Sequence, residues 1–365
     1  MRLAASSRYV RNSVAWPVSL ASQQPAEWIV DWARRSRLEG WTLIAGNGAS
    51  AELIARHAEM LAPVFRFSTS SLEAVRDALD KRRSHALADR VGVAHPRTCY
   101  PQDAEDLKRL AIDYPAILKP SVKDGWNALI RAKAWKVRHR DELLLRYREA
   151  VSMVAPESIM VQEFIPGENA NQYSYAALCR DGIPLASLVA RRLRQYPVEF
   201  GRSSSLVETI DLPEVESAAG LLLRAMSFTG IVEVEFKRDP RDGALKLLDI
   251  NPRPWRWMSL GYRAGVDFPY LLYRLARGEA VEPVRGVAGV RWVRMATDLL
   301  AGAQEIWHGA TTPRGYLNSV RRPLEFSILA CDDLLPSVLE IPHLIAADFR
   351  RFRLPGWLRR AIPGW

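Results

Sequence analysis

The sequence contains few cysteines and no long apolar run. Its three cysteines, Cys99, Cys179 and Cys331, lie far apart and show no spacing typical of paired metal ligands. Neither a disulfide framework nor a zinc site is therefore predicted, and a reducing, cytoplasmic compartment is expected. No stretch reaches the roughly 18 apolar residues that cross a bilayer. Internal repeats and low-complexity tracts are also missing, so an ordinary globular protein of two or three domains is predicted.

Acidic residues are outnumbered, with 41 Asp and Glu against 51 Lys and Arg, which gives a net charge of +10. A charge of this sign suits nucleic acid, an anionic membrane face or anionic small substrates. No nucleic-acid-binding motif accompanies the charge, and we expect no nucleic-acid partner. Residues 349–360 interleave arginines with aromatic side chains. Two interpretations of this tail stay open, a solvated basic helix end and a peripheral contact with anionic lipid.

The first part of the chain shows an α/β pattern. The apolar run Trp41–Ala45 is followed by a Gly-Asn-Gly turn and then by a helical pattern. This order predicts a strand, a turn and a helix within a parallel α/β layer. Another helix is predicted to begin at Ser70 and Ser71, because serine caps precede an apolar periodicity.

Two acidic residues mark a predicted hairpin. Residues 231–236 (IVEVEF) alternate, so that Glu233 and Glu235 share one face of a strand. Turn-forming residues follow at 239–243, and the chain returns as ALKLLDIN. A hairpin folded about Asp242 sets Glu235 opposite Asp249, with Asn251 on the same face.

This arrangement favours a bound cation. Like charges directly opposite each other destabilise a sheet, and a divalent metal removes that conflict. The oxygens of Glu235, Asp249 and Asn251 are hard ligands that suit Mg²⁺. The alternative is a solvated sheet face in another register. Arg253 follows on a rigid proline-rich turn, either as a phosphate or oxyanion clamp or as a surface arginine.

The segment VEVEFKRDPRDGALKLLDINPRPW resembles the metal-binding core of ATP-grasp enzymes, and three upstream blocks follow the order of that family. The stretch after Asp80 resembles the block that supplies a first ATP lysine, here Lys81. YPAILKP resembles the strand of a second, phosphate-contacting lysine, here Lys119. MVQEFIPGE looks like the hinge strand under adenine. The resemblance assigns this hinge edge to Gln162, Glu163, Phe164 and Ile165, with Glu168 or Asn169 as the ribose partner.

Within the class, the likeness is closest to the carboxylate-amine ligases that include D-aspartate ligases. The resemblance implies ATP with one or two Mg²⁺ ions, or Mn²⁺, as cofactors. It also implies small-molecule carboxylate and amine substrates that are joined through an acyl phosphate. Arg253, helped by Arg194 or by the neighbouring Arg191 and Arg192, would bind the substrate carboxylate and the oxyanion. The oligomeric state is not predicted.

The implied fold is an α/β (α+β) ATP-grasp fold. Residues 1–80 would form a truncated pre-ATP-grasp α/β domain and 81–158 a lid subdomain. Residues 159–280 would form the core with the metal site, and 281–365 a basic helical extension that contains several tryptophans.

Three departures from the family pattern bear on activity. The phosphate loop at residues 121–125 has a single glycine, and the closing motif carries Asp249 where glutamate is commoner. The chain is also expected to lack the first strand and helix of the usual N-terminal domain. These departures keep a second hypothesis open. In it, the chain is a degenerate ATP-grasp protein that binds ATP as a sensor or partner module without ligase turnover.

Overall fold

The computed structural model describes residues 3–15, 24–121, 129, 134–167, 169–196, 203–321 and 323–351, with only the backbone at 24, 169, 203 and 346–351. The strands among these residues form two sheets, one of four strands and one of eight. Among the described helices, none combines the length and apolar character that crossing a bilayer would require.

The N-terminal layer consists of helices α1 (Gln24–Arg35), α2 (Gly48–Arg56) and α3 (Ala58–Leu61). Asn47 caps α2 as the turn pattern predicts, because its side chain accepts a hydrogen bond from the Ser50 backbone amide. The predicted strand Trp41–Ala45 is reduced to a parallel bridge between Thr42 and Arg66. The helix of the predicted strand–turn–helix unit is therefore confirmed, while the strand is not a regular one.

Helices α4 (Leu72–Leu79) and α5 (Lys81–Val91) connect this layer to the rest of the molecule. Ser71 caps α4 and Asp80 caps α5, both through side-chain acceptors. The predicted helix start at Ser70–Ser71 is thus confirmed. Lys81 becomes the first residue of α5, which places its side chain at the edge of the large sheet.

The four-stranded sheet contains β1 (Thr98–Cys99), β2 (Ala116–Pro120), β3 (Trp135–Val137) and β4 (Ile159–Glu163), in the order β1-β4-β2-β3. All its pairings are antiparallel. Helices α6 (Ala104–Arg109) and α7 (Arg140–Val151) supply the other side of its core. The two predicted ATP-binding strands, with Lys119 on β2 and Gln162 on β4, are neighbours in this sheet.

The large sheet is built on β5 (Gln172–Arg180), β6 (Ile183–Tyr196), β7 (Ser203–Ile210), β8 (Gly230–Arg238) and β9 (Leu245–Asn251), with spatial order β7-β6-β5-β8-β9. A two-residue turn joins β5 to β6, and both of its residues have positive φ, 50° at Asp181 and 79° at Gly182. This geometry requires the Asp-Gly pair. Helix α8 (Pro213–Ala225) packs with α4 and α5 on one face, and α9 (Leu260–Arg263) and α10 (Phe268–Ala276) pack on the other.

The β8–β9 register agrees with the predicted hairpin. Glu235 lies opposite Asp249, and Glu233 lies opposite Asn251. A bulge follows Glu235, so that Phe236 pairs with Leu247. The bulge is the feature that the alternating pattern did not predict.

The C-terminal region is not purely helical. Helices α11 (Met295–Trp307), α12 (Pro313–Ser319) and α13 (Leu335–Arg351) are interleaved with β10 (Val284–Arg285), β11 (Arg291–Val293) and β12 (Leu324–Phe326), which join the large sheet. Trp292 is fully buried, so it serves packing. The basic tail beyond residue 351 lies outside the described residues, and both interpretations of it stay predictions.

Candidate functional site

The candidate site lies where the end of the small sheet meets the β8–β9 hairpin. A buried ion-pair cluster joins the two: Lys246 of β9 contacts Glu163 of β4 at 2.7 Å and Asp239 of the hairpin turn at 2.9 Å. Arg241 also reaches Glu163, at 2.9 Å. Burial raises the pKa of Glu163, but hydrogen bonds from Lys246, from the Arg97 backbone and from Arg241 outweigh it and hold that pKa below its usual value. Glu163 is therefore a carboxylate, and its ion pairs connect the small sheet to the hairpin.

Three oxygen-bearing side chains share the inner face of the hairpin. The Asn251 amide donates to Glu235 at 3.0 Å and to Glu233 at 3.4 Å. Glu233 also accepts a hydrogen bond from the Ser174 hydroxyl at 3.2 Å. Glu233 is 5% exposed and Asn251 is 6% exposed. Two carboxylates and an amide thus meet in a site that holds little water.

The charge of this face is incompletely compensated. Burial, followed by repulsion from Glu235, raises the pKa of Glu233 to about 8, and Arg253 and Arg192 only partly oppose the shift. A buried carboxylate in this state costs free energy unless a cation arrives. The residues present therefore fit a bound divalent metal.

Arg192 of β6 is the arginine that the fold directs toward Glu235. Its guanidinium lies 3.3 Å from the Glu235 carboxylate and donates to Gln172 at 2.9 Å. The Gln172 amide in turn donates to the same Glu235 oxygen, Oε2, at 3.0 Å. Arg192 is thus held at the edge of the acidic face with its side chain 16% exposed.

Arg253 is placed beside the acidic face, as the proline-rich turn predicts. Its guanidinium donates to the Asn251 side chain and to the Pro254 carbonyl, both at 3.0 Å. It also lines a small cavity of about 40 Å³ between the hairpin and the N-terminal layer. Arg253 can therefore face a ligand that lies between these two parts.

Asp249 turns toward helix α5. Lys81 donates to its carboxylate at 2.6 Å, and both side chains are largely buried. In the part of the chain that the structure describes, no group of three His, Cys, Asp or Glu side chains has a geometry that could hold a metal. Any metal on this face would therefore use Glu233 or Glu235 with the amide of Asn251, and would draw in Asp249 only when Lys81 is engaged elsewhere.

Lys119 and Gln162 form the opposite wall. The Lys119 ammonium donates to the Gln162 side chain at 2.7 Å, and that side chain donates to the Thr98 hydroxyl at 2.9 Å. Lys81 and Lys119 both lower the pKa of the same buried histidine, His85, after the larger effects of burial and of His95. The two predicted ATP lysines therefore converge on one region of the cleft.

The predicted adenine hinge continues from β4. Phe164 lies under the Lys136 ammonium at 4.2 Å from its ring centroid. Ile165 is buried, and its carbonyl accepts a hydrogen bond from Lys237 at 2.9 Å. Burial lowers the pKa of Lys237. Glu168, the predicted ribose partner, lies outside the described residues.

Arg194 is not brought to the acidic face. A bulge in the β6–β7 pairing separates it from Arg192. Its guanidinium instead forms two hydrogen bonds with Asp298 of α11, at 3.0 and 2.9 Å, and Asp298 is completely buried. Arg194 therefore forms a buried ion pair with Asp298, and Arg192 lies where a ligand-binding arginine was expected.

Comparison with protein families adds to this geometry. A family model described as "ATP-grasp in the biosynthetic pathway with Ter operon" matches residues 155–297. The matched stretch contains the hinge and the whole β8–β9 hairpin. The chain contains an ATP-grasp domain. The resemblance found in the sequence is therefore confirmed at the level of this domain.

Two curated relatives share the ATP-grasp likeness. The carbamoyl phosphate synthase large chain of Methanothrix thermoacetophila is 23% identical over 249 residues, which are 64% of this chain and 22% of the synthase. The D-aspartate ligase of Enterococcus faecium is 23% identical over 226 residues, 59% of this chain and 54% of the ligase. This chain spans less than two thirds of either relative.

Two solved structures have the ATP-grasp fold in common with this chain. The biotin carboxylase domain of Hydrogenobacter thermophilus 2-oxoglutarate carboxylase, solved with MgADP, ADP and bicarbonate, superposes with a TM-score of 0.60 at 21% identity. It covers 76% of this chain and 62% of its own. N5-carboxyaminoimidazole synthetase of Staphylococcus aureus gives a TM-score of 0.55 at 10% identity, covering 73% and 66%. The predicted fold class is thereby confirmed.

The sequence did not assign a role in the ATP-grasp site to Glu233 or His85, and it did not distinguish Arg192 from Arg191 and Arg194 as the helper of Arg253. The alternation of β8 places Glu233 on the same face as Glu235, and this signal in the sequence points to it. Arg192 depended on the bulge in β6, which no pattern in the sequence indicates. His85 has no motif of its own and is recognisable only from its burial in the cleft.

Proposed function

We propose that the chain is an ATP-dependent ligase that joins a small carboxylic acid to an amine and releases ADP and phosphate. The proposal depends on one observation, the incompletely compensated acidic face of Glu233, Glu235 and Asn251. This face is supported by the two lysines, Lys81 and Lys119, that converge on the same cleft. The similarity of this chain to a D-aspartate ligase supports a reaction between a carboxylate and an amine.

The nucleotide would lie between the sheets, with adenine along residues 162–165. Lys81 and Lys119 would neutralise phosphate charge in a cleft where water is scarce and such interactions are strong. Bound at Glu235, Asn251 and the released Asp249, Mg²⁺ would offset the remaining phosphate charge. Lys81 would exchange its contact with Asp249 for a phosphate oxygen, which frees that carboxylate.

The bond changes follow from this placement. An oxygen of the substrate carboxylate attacks the γ-phosphorus, the bond to the β–γ bridging oxygen breaks, and ADP leaves. The amine then attacks the acyl carbon, inorganic phosphate departs, and the amine loses a proton to solvent or to phosphate. Arg253 would bind the substrate carboxylate and stabilise the oxyanion. Arg192, rather than Arg194, is the second arginine that could assist.

ADP release in the presence of Mg²⁺ and a panel of carboxylic acids and amines tests the proposal. Turnover should require one acid and one amine together. Glu235→Gln should abolish that turnover, whereas Glu208→Gln, a change to a buried carboxylate outside the cleft, should leave it measurable. ATP binding without turnover for every pair would instead support the second candidate.

That second candidate is a nucleotide-binding module without ligase activity. The contact between Lys81 and Asp249 favours it, because it removes a carboxylate from the proposed metal site. If this contact persists, magnesium should not strengthen ATP binding. Titration calorimetry with and without Mg²⁺ separates the two, since a ligase site should bind ATP more tightly with the metal.

A further inference from the structure

His85 occupies a fixed position deep in the cleft. It follows Lys81 by four residues on α5, so the two side chains share one face of the helix. It is 4% exposed. Its Nδ1 lies 3.1 Å from the Tyr100 hydroxyl, and its ring stacks on His95 with centroids 4.3 Å apart. The imidazole is therefore held from two sides in a single orientation.

The other ring nitrogen of His85 lacks a hydrogen-bond partner in the described part of the chain. Nε2 is buried and, within the described residues, has no hydrogen-bond partner. Leaving a buried polar atom unpaired costs free energy, and such an atom calls for an explanation. A 180° flip of the ring would keep the stacking on His95 but would lose the hydrogen bond with Tyr100. A missing ligand atom accounts for the open position.

The surroundings select the kind of ligand. Burial, His95, Lys119 and Lys81 lower the pKa of His85 to about 3, so the ring is neutral at physiological pH and carries one N–H. Burial raises the pKa of Tyr100, so its hydroxyl keeps its proton and can donate to Nδ1. The hydrogen of the ring then belongs on Nε2. An N–H donor close to the Lys81 and Lys119 ammonium groups suits an anionic oxygen.

We propose that His85 donates a hydrogen bond from Nε2 to a phosphate oxygen of the bound nucleotide, and that Tyr100 is the positioning residue that holds the hydrogen on that nitrogen. The inference rests on the proposed function only in taking a nucleotide as the ligand. A neutral donor adds a directional contact where two lysines already supply the charge.

Titration calorimetry with ADP and with adenosine tests this inference. His85→Ala should weaken ADP binding at least about tenfold, the effect of losing one hydrogen bond to a charged group. Adenosine binding should stay within about twofold because no phosphate is involved. Tyr100→Phe should weaken ADP binding less. His308→Ala, at an exposed helix end, is the matched control and should bind both ligands as the wild type does.

Nitrogen-15 shifts of the imidazole provide a readout that does not depend on activity. The wild type should show hydrogen on Nε2, and Tyr100→Phe should show a mixture of tautomers. Equal losses for ADP and adenosine in His85→Ala would indicate a packing role and overturn the inference. Unchanged ADP binding in that variant would also overturn it. A wild type that binds neither ADP nor adenosine would instead refute the proposed function itself.

Discussion

Replacing Glu233 with glutamine should stabilise the protein in the absence of metal and ligand. In the folded chain this carboxylate is buried beside Glu235, and the pair keeps a proton that an unfolded chain would release. Glutamine has nearly the same shape and carries no charge. Asn251 and Ser174 donate to different oxygens of Glu233, so the amide oxygen of glutamine can keep the bond from Asn251 while its NH₂ group donates to the Ser174 hydroxyl.

The size of the effect follows from the pKa of Glu233, which is about 8 in the folded protein against 4.5 for an ordinary glutamate. Below pH 4.5 both states hold the proton, and nothing is lost. Between pH 4.5 and 8 the unfolded chain releases its proton while the folded one retains it, so the wild type loses roughly 1.4 kcal/mol per pH unit. At pH 7 the accumulated loss reaches roughly 3 kcal/mol as an upper limit, because Glu235 shares the proton.

Urea unfolding in EDTA at pH 4.5 and pH 7.5 measures this difference. Glu233→Gln should exceed the wild type in free energy of unfolding at pH 7.5 and match it at pH 4.5. Glu208→Gln is the matched control, since ion pairs with Arg191 and Arg291 hold the pKa of that buried carboxylate low despite burial. It should lose stability at pH 7.5. A Glu233→Gln variant that is less stable than the wild type at pH 7.5 would refute the reasoning.

Three further predictions concern the arginines and one turn. Arg194→Met should lower the free energy of unfolding in urea by roughly 3 to 5 kcal/mol because it leaves Asp298 buried and unpaired. The double variant with Asp298→Leu should recover most of that loss, and its ADP release should persist if Arg194 has no catalytic role. Arg192→Met should instead lower ADP release while the melting temperature changes by only a few degrees. Gly182→Ala should lower the melting temperature, because φ is 79° there and a Cβ would lie 2.6 Å from the Arg224 Cα.

Local patterns predicted the elements that carry the ATP-grasp site. Serine caps located α4, the family resemblance of the stretch after Asp80 located α5, and the alternation of IVEVEF with its turn set the β8–β9 register correctly. These features depend on residues that are close together in the sequence, so they can be predicted from the sequence alone. The strand at residues 41–45 shows the opposite case, because a strand needs partner strands and, among the described residues, Thr42 pairs with Arg66 alone. Pairing across the chain is not encoded in the run itself.

The orientation of the charged side chains required the structure. Neighbouring arginines of β6 read alike in sequence, yet the bulge between Arg192 and Arg194 sends one to Glu235 and the other to Asp298. Likewise, Glu163 was predicted to lie along adenine, but its carboxylate is engaged by Lys246 and Arg241. Its backbone N–H donates to the Arg97 carbonyl at 2.9 Å, which leaves its own carbonyl for the hinge.

The contact between Lys81 and Asp249 connects metal binding to nucleotide binding. As long as the ammonium neutralises Asp249, the acidic face lacks its third oxygen donor, and a metal alone has two carboxylates and an amide to bind. A phosphate oxygen that draws Lys81 away releases Asp249 for the metal at the same moment. Metal and nucleotide should therefore each strengthen the binding of the other, by the same factor in both directions. Lys81→Met should weaken this coupling, because nucleotide binding would then no longer draw an ammonium group away from Asp249.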